Sequence, residues 1–548
     1  MRMKLSNNRY MCLLSALSGL FMWLGWPDMP FVFLLFIGFV PILLIEREVA
    51  KQHGSAGGLI LFEHIYVAFL MWNALTTWWV TLASVPGGLV AIFANAFLMT
   101  LPVLLFHKIR LRLDDRAGYA AFVAGWLAFE YLHHNWELTW PWLTLGNGLA
   151  KFPELVQWYE YTGVFGGSLW VLLVNLLIFF VLKDAPGKKD QAKTRQAVSK
   201  KTAILALATL LLPALASALI YVGYTDEGEQ EEIVIVQPNI DPYADKFGGM
   251  TAEQQFKRLI DMSVEAITPG TDYLVWPETA LQFSLWVNRL SEHKAVQTLQ
   301  EFVARRPNMT IITGIYAYQN YPDGQGASAT ARHFRDGRCC YDAYNSAIQI
   351  DTSGVIAIYH KSKLVPGVER MPYPQLFGFL DKMAIDLGGI TGSLGTQTER
   401  AVFFKNDKTG IAPVICYESV FGAYVTEYIK NGANAIFIIT NDGWWGKTPG
   451  HRQHLRYASL RAIETRRSIA RAANTGISCF INQRGDILQA TRYDQKIAIR
   501  GRIAIRSGLT IYARIGDVIG ILASIIALFF MLAFSLRLMT DRKAPSRQ

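Results

Sequence analysis

The stretch Ala412-Pro413-Val414-Ile415-Cys416-Tyr417-Glu418 runs four apolar residues into a thiol and a carboxylate, and helix-like sequence follows from Val420 to Asn431. A short buried strand that turns directly into a helix belongs to an α/β arrangement, where chemistry collects at strand ends. A nucleophile at such a turn stands beside backbone N–H groups that can hold an oxyanion. Two further strand ends in the same region carry reactive groups. Tyr273-Leu-Val-Trp276 runs into Pro277-Glu278-Thr279-Ala280, and Val355 to Tyr359 runs into His360-Lys361-Ser362-Lys363-Leu364-Val365-Pro366. Ile233 to Gln237, Thr310 to Thr313 and Ala435 to Thr440 also read as buried strands, and Asn345 to Ile350 forms a hairpin with Val355 to Tyr359 across Asp351-Thr-Ser-Gly354. Helical periodicity covers Ala252 to Ala266, Asn288 to Ala304, Val420 to Asn431 and Gly450 to Arg467.

This α/β region is only part of the chain. Of 548 residues 51% are hydrophobic and 18% charged, which excludes a disordered chain, and five cysteines are too few for a disulfide framework. Val85 to Phe106, Thr162 to Leu182 and Thr202 to Tyr224 contain no Asp, Glu, Lys or Arg, and each reaches the roughly 20 residues that cross a bilayer. Val518 to Leu536 is similar. Tyr10 to Trp26 and Met29 to Ile45 read as a retained hairpin rather than a cleaved leader, because no small-residue cleavage site follows the first run. Leu59 to Val80 with Glu63, and Ala117 to Leu132 with Glu130, complete eight expected spans. Glu63 and Glu130 are either functional groups within the membrane or groups paired inside the bundle.

With the N-terminus inside, the basic residues fall on alternate connections: Arg2, Lys4, Arg9; Arg47, Lys51; Lys108 to Arg116; Lys183 to Lys201; and Arg537 to Arg547. The short outer connections carry Lys151 alone, so both termini are expected in the cytoplasm. The expected organisation is a seven-helix transmembrane region over 1–224, an outer catalytic domain over 225–509, and a last span with a cytoplasmic tail over 510–548. The net charge of +10 thereby belongs to the inner loops, and nucleic-acid binding loses its support.

The three strand ends supply complementary chemistry. A thiol of ordinary pKa about 8.5 is mostly protonated at neutral pH, so a carboxylate such as Glu278 can serve as its base. An ammonium such as Lys361, or the Tyr417 N–H, can hold the tetrahedral oxyanion. Three other motifs give less. His451 and His454 stand three apart without a third ligand type, so no metal is expected. Gly446-Lys447-Thr448 lacks the earlier glycine of a phosphate loop, since Asn441 stands there. Cys339, Cys340 and Cys479 lie on the expected outer side, where the sequence leaves any pairing open.

Taken together, Trp276-Pro-Glu278-Thr-Ala, Tyr359-x-Lys361-x-x-Leu-Val-Pro366, Ile415-Cys416-Tyr417-Glu418 and Asn441-Asp442-Gly-Trp444-Trp-Gly446 resemble the nitrilase (carbon–nitrogen hydrolase) superfamily. With eight spans, the resemblance extends to its membrane-integrated branch, the bacterial apolipoprotein N-acyltransferases, through Arg461-Ala-x-Glu464, Arg471-Ala-Ala-Asn-Thr-Gly476 and Thr510-x-Tyr512-x-x-x-Gly516-Asp517. The resemblance implies an α-β-β-α sandwich on the periplasmic side of the inner membrane. It implies Glu278 as general base, Lys361 as transition-state stabiliser and Cys416 as nucleophile. Asn345, Glu369, Tyr417 and Glu418 match positions around the site, Trp444 one at its mouth, and Gly146 one near a lipid entrance. Phe247 stands where the family often has Trp. Pro366-Gly367-Val368-Glu369 departs from the usual Pro-Phe-Gly-Glu. The implied reaction needs no cofactor: a phospholipid donates an acyl chain, through a thioester, to the amine of a diacylglyceryl-cysteine lipoprotein. A tethered amidase acting on a soluble amide, or a transporter or receptor using Glu63 and Glu130, are the alternatives.

Overall fold

The computed structural model describes residues 2–183, 192–334, 336, 339–373, 375, 393–405 and 409–543. The chain divides into two compact units, one of Met1–Trp78, Gly88–Gly223 and Asp517–Gln548, the other of Trp79–Gly87 and Tyr224–Gly516.

The first unit is helical. Among the described residues, four helices are long and apolar enough to cross a membrane: Val85–Arg112, Tyr159–Lys183, Lys200–Gly223 and Val518–Thr540. The runs containing Glu63 and Glu130 form the helices Gly58–Thr77 and Asp115–Asn135, and the first run falls within Arg2–Leu24. None of these three reaches the same combination of length and apolarity. The expected single span Met29 to Ile45 is divided into a 3-10 helix, Val32–Ile37, and the helix Val40–His53. Pro41 explains the break. It lacks an N–H and fits the first turn of a helix, not its interior.

Glu130 is paired inside the bundle: its Oε1 accepts from Trp126 Nε1 at 2.9 Å and from the Leu145 N–H at 2.8 Å. It thereby fixes the start of the 3-10 turn Leu145–Leu149, which carries Gly146. Glu63 is exposed on its helix. The Gly146 N–H donates to Ser168 Oγ at 3.0 Å, and its carbonyl accepts from Tyr159 OH at 2.9 Å. A Cβ here would lie 2.0 Å from the Val164 carbonyl oxygen. Gly146→Ala is therefore expected to cost about 2–3 kcal/mol by overpacking, seen as a lower thermal midpoint of the full chain in detergent.

The second unit holds two sheets. The first joins β1 (Glu229–Gln237), β2 (Tyr273–Val275), β3 (Leu281–Trp286), β4 (Thr310–Tyr321), β5 (Arg332–His333), β6 (Cys340–Ile350), β7 (Ala357–His360) and β14 (Ile497–Ile505). The second runs β13-β12-β11-β10-β9-β8, from β8 (Phe403–Phe404), β9 (Gly410–Ile415), β10 (Ala435–Thr440), β11 (Ile469–Ala473), β12 (Cys479–Ile481) and β13 (Ile487–Leu488). β9, β10 and β11 are parallel, as are β1, β2 and β4, and residues 233–237, residues 311–313 and Ala435–Thr440 among them are buried, β-branched stretches. The Tyr273 ring meets Phe437 edge-on at 5.2 Å, joining β2 to β10. Amphipathic helices cover the outer faces. Leu259 and Met262 of Ala252–Ala266, with Leu299 and Val303 of Lys294–Ala304, pack into the core of the first sheet. Gly422–Lys430 and Pro449–Thr465 lie against the second. The layers run helix, sheet, sheet, helix.

Candidate active site

β2, β7 and β9 end beside one another and bring Glu278, Lys361 and Cys416 together in one buried site. Each strand end is built for its task. Gly314 on β4 lets the turn after β2 approach, because a Cβ there would meet the Thr279 nitrogen at 2.4 Å and Glu278 Cα at 2.7 Å. Thr279 itself is left-handed, at φ +48°. Lys361 follows β7 directly, and its N–H donates to the Asn345 carbonyl on β6 at 2.8 Å. Cys416 ends β9 at φ +50°, in a region that non-glycine residues rarely occupy.

The polar groups interlock. Glu278 Oε1 accepts from Asn345 Nδ2 at 2.7 Å and from Lys361 Nζ at 3.2 Å, and Oε2 accepts the Asn441 N–H at 3.0 Å. Lys361 Nζ also donates to Glu369 Oε1 at 2.7 Å, and Glu369 Oε2 accepts the Val365 N–H at 2.8 Å. The departure at Gly367 is accommodated: Gly367 sits at φ +76°, and Glu369 still reaches the lysine.

These contacts set the charges. Burial alone would lower the Lys361 ammonium, but Glu278 and Glu369 hold it well above its usual range. Burial, followed by the Glu278 carboxylate, pushes the Cys416 thiol far above a free cysteine, against the pull of Lys361. Burial thereby favours the neutral thiol over the thiolate.

Glu418 joins two of the strand ends. Its Oε1 accepts from Ser362 N at 2.7 Å, Tyr359 OH at 2.6 Å and Tyr424 OH at 2.8 Å, while Oε2 accepts from Ile415 N at 2.9 Å. Burial raises its pKa and these donors lower it. Arg400 backs the cluster by donating to the Tyr424 hydroxyl. In Glu418→Gln an amide N–H₂ must face a backbone N–H. We expect a loss of about 2–3 kcal/mol, read as a lower denaturant midpoint.

Tyr417 is buried against the Phe421 ring at 5.1 Å. Trp444 is half-buried, its carbonyl accepting from Tyr243 OH at 3.1 Å and its ring 5.4 Å from the Tyr243 ring. The side chain of Phe247 lies outside the described residues, and Gly146 belongs to the helical unit. Sequence reasoning missed the Asn441 N–H as a partner of Glu278. It also missed the buried group His454, Asp442 and Arg471 behind Cys416. The motif residues Asn441-Asp442 and Arg471 were signals, but only the fold aims them. Arg461 is explained: it donates to the Val420 and Ser419 carbonyls at 2.6 and 3.3 Å and pairs with Glu464, anchoring the end of the nucleophile turn.

A buried cysteine, glutamate and lysine meet at the strand ends of a two-sheet sandwich. Residues 233–502 match the carbon–nitrogen hydrolase family, and residues 18–177 match the apolipoprotein N-acyltransferase N-terminal domain. The chain belongs to the apolipoprotein N-acyltransferase family. It is 28% identical over 527 residues to the apolipoprotein N-acyltransferase of Chlorobaculum tepidum, covering 92% of this chain and 93% of the relative. It is 26% identical to that of Geobacter metallireducens, covering 92% of each. Among solved structures it is similar to a mutant of the Nesterenkonia AN1 amidase from the nitrilase superfamily, at 14% identity and TM-score 0.34, over 52% of this chain and 94% of that one.

Proposed function

We propose that this protein is an apolipoprotein N-acyltransferase that works through a thioester on Cys416. The observation that carries the reading is the buried Cys416 grouped with Glu278 and a buried Lys361 whose Nζ lies 3.2 and 2.7 Å from two carboxylates. In the first half-reaction Glu278 takes the thiol proton as Sγ attacks a phospholipid ester carbonyl. The S–C bond forms, and Lys361 with the Tyr417 N–H holds the oxyanion. The ester C–O bond breaks, and the lysophospholipid alkoxide leaves with the proton from Glu278. In the second, the α-amine of a diacylglyceryl-cysteine lipoprotein attacks the thioester and gives a proton to Glu278. The C–S bond breaks, the amide leaves, and the thiol recovers its proton.

Asn345 and Glu369 hold the lysine and base in register, and Glu418 ties their loop to the nucleophile strand. Eight spans, both termini in the cytoplasm and a periplasmic catalytic unit complete the proposed placement in a bacterial inner membrane. The supports are the alternating basic loops and the four apolar helices. Phe247 and Trp444 are proposed to border the path of the lipid substrates. Purified protein mixed with phospholipid vesicles and a synthetic diacylglyceryl-cysteine peptide tests the function. The expected product is the peptide one acyl chain heavier, blocked at its amine. Free fatty acid with an unmodified peptide would instead support hydrolysis.

A further inference from the structure

His454 lies on the helix Pro449–Thr465, fully buried behind the nucleophile. Its Nδ1 is 3.0 Å from Asp442 Oδ1, and its Nε2 is 3.1 Å from the Cys416 carbonyl oxygen and 2.9 Å from Ser419 Oγ. Arg471 Nη2 is 2.8 Å from Asp442 Oδ2 and 3.1 Å from His454 Nδ1, while Thr440 Oγ1 donates to Asp442 Oδ1 at 3.1 Å. Arg471, then His454, keep Asp442 charged far into acid despite its burial.

The Cys416 carbonyl can only accept. A bare Nε2 would set two lone pairs 3.1 Å apart in a buried site, so Nε2 carries the ring proton and Nδ1 accepts from Arg471 Nη2 at 3.1 Å, the guanidinium that Asp442 also holds. Ser419 Oγ donates to the same carbonyl at 2.7 Å. Both of its lone pairs are thus engaged on one side. This carbonyl and the Tyr417 N–H belong to one trans peptide plane and point in opposite directions. Fixing the oxygen fixes the aim of the N–H, and hydrogen bonds to the oxygen polarise the N–H as a donor. Cys416 sits at φ +50°, where the turn needs such an external hold.

We infer that His454, oriented by the Arg471 guanidinium that Asp442 holds and assisted by Ser419, is a positioning residue that aims and strengthens the Tyr417 N–H as oxyanion donor by holding the Cys416 carbonyl from behind. The inference rests on the thioester reading of the site. It separates two reactions of one thiol, since acyl transfer forms an oxyanion and alkylation by iodoacetamide does not.

The test is single-turnover thioester formation from phospholipid vesicles, followed by intact mass, beside iodoacetamide alkylation of Cys416 in the full-length protein. An Asn side chain reaches only the position of Nδ1, whereas a Gln amide reaches that of Nε2. His454→Asn should slow acylation by roughly 10–100-fold and leave alkylation within about 3-fold of the parent. His454→Gln should restore acylation to within about 5-fold of the parent, since it returns one donor. Ser419→Ala removes the other donor, should slow acylation by about 3–10-fold with alkylation unchanged, and decides the matter if His454→Asn is unstable. Acylation at the parent rate in the Asn variant, or acylation and alkylation falling in parallel, would overturn the inference. A parent protein that is alkylated at Cys416 but never acylated would instead overturn the thioester reading beneath it.

Discussion

Glu278→Gln is expected to lower acyl transfer by roughly 10³–10⁴-fold and stability by about 1–3 kcal/mol. The loss is large because the thiol it serves lies far above the ordinary cysteine range, raised first by burial. Without a carboxylate the thiol has no base to take its proton as the S–C bond forms, even though losing the Glu278 charge also withdraws one of the causes that raise it. A Gln oxygen can still accept the Asn441 N–H and Lys361 keeps Glu369 as its counter-ion, but the Gln N–H₂ then faces the donors Asn345 Nδ2 and Lys361 Nζ, which accounts for the stability loss. Initial-rate kinetics with the vesicle and peptide substrates, beside a thermal melt, check both halves. Activity within tenfold of the parent would contradict the role given to Glu278.

Lys361→Met differs in kind, because it damages both rate and stability. The lysine side chain is 1% exposed and lies between two carboxylates at 3.2 and 2.7 Å. Its removal leaves buried negative charge uncompensated, a loss of about 3–5 kcal/mol where one partner of a buried pair is deleted. The oxyanion loses its charged donor as well, worth roughly 10²–10³-fold in rate. The double variant Lys361→Met with Glu369→Gln should recover part of the stability and none of the activity. Full activity in either variant would remove Lys361 from the mechanism.

The short apolar runs that end at Glu278, Lys361 and Cys416 were legible in the sequence, while the grouping of these three, with Asn345 and Glu369, came from the resemblance of the motifs. Tyr273-Leu-Val-Trp276 and Ala435 to Thr440 match β2 and β10 closely, and the Asp351-Thr-Ser-Gly354 turn does join β6 to β7. β11 and β14 were harder to see. Arg471 interrupts the first, and Arg500 and Arg502 interrupt the second, so neither reads as an apolar run. The Arg471 charge is tolerated because Asp442 meets it from a separate element, a pairing that no local pattern contains. The same holds for Asn441, whose backbone N–H, not its side chain, completes the hold on Glu278. In the helical unit the Met29 to Ile45 span was read as continuous because hydropathy does not register that Pro41 must begin a helix. For Glu130 the sequence left a functional group and a group paired inside the bundle as alternatives, and the fold sets Trp126 Nε1 and the Leu145 N–H against it.

The most direct test of the account is the mass of the protein after incubation with phospholipid and no acceptor peptide. The account predicts one added acyl chain on Cys416, released by hydroxylamine, absent in Cys416→Ala, and transferred to a diacylglyceryl-cysteine peptide on its addition. An unmodified Cys416 in a preparation that still acylates the peptide would contradict it.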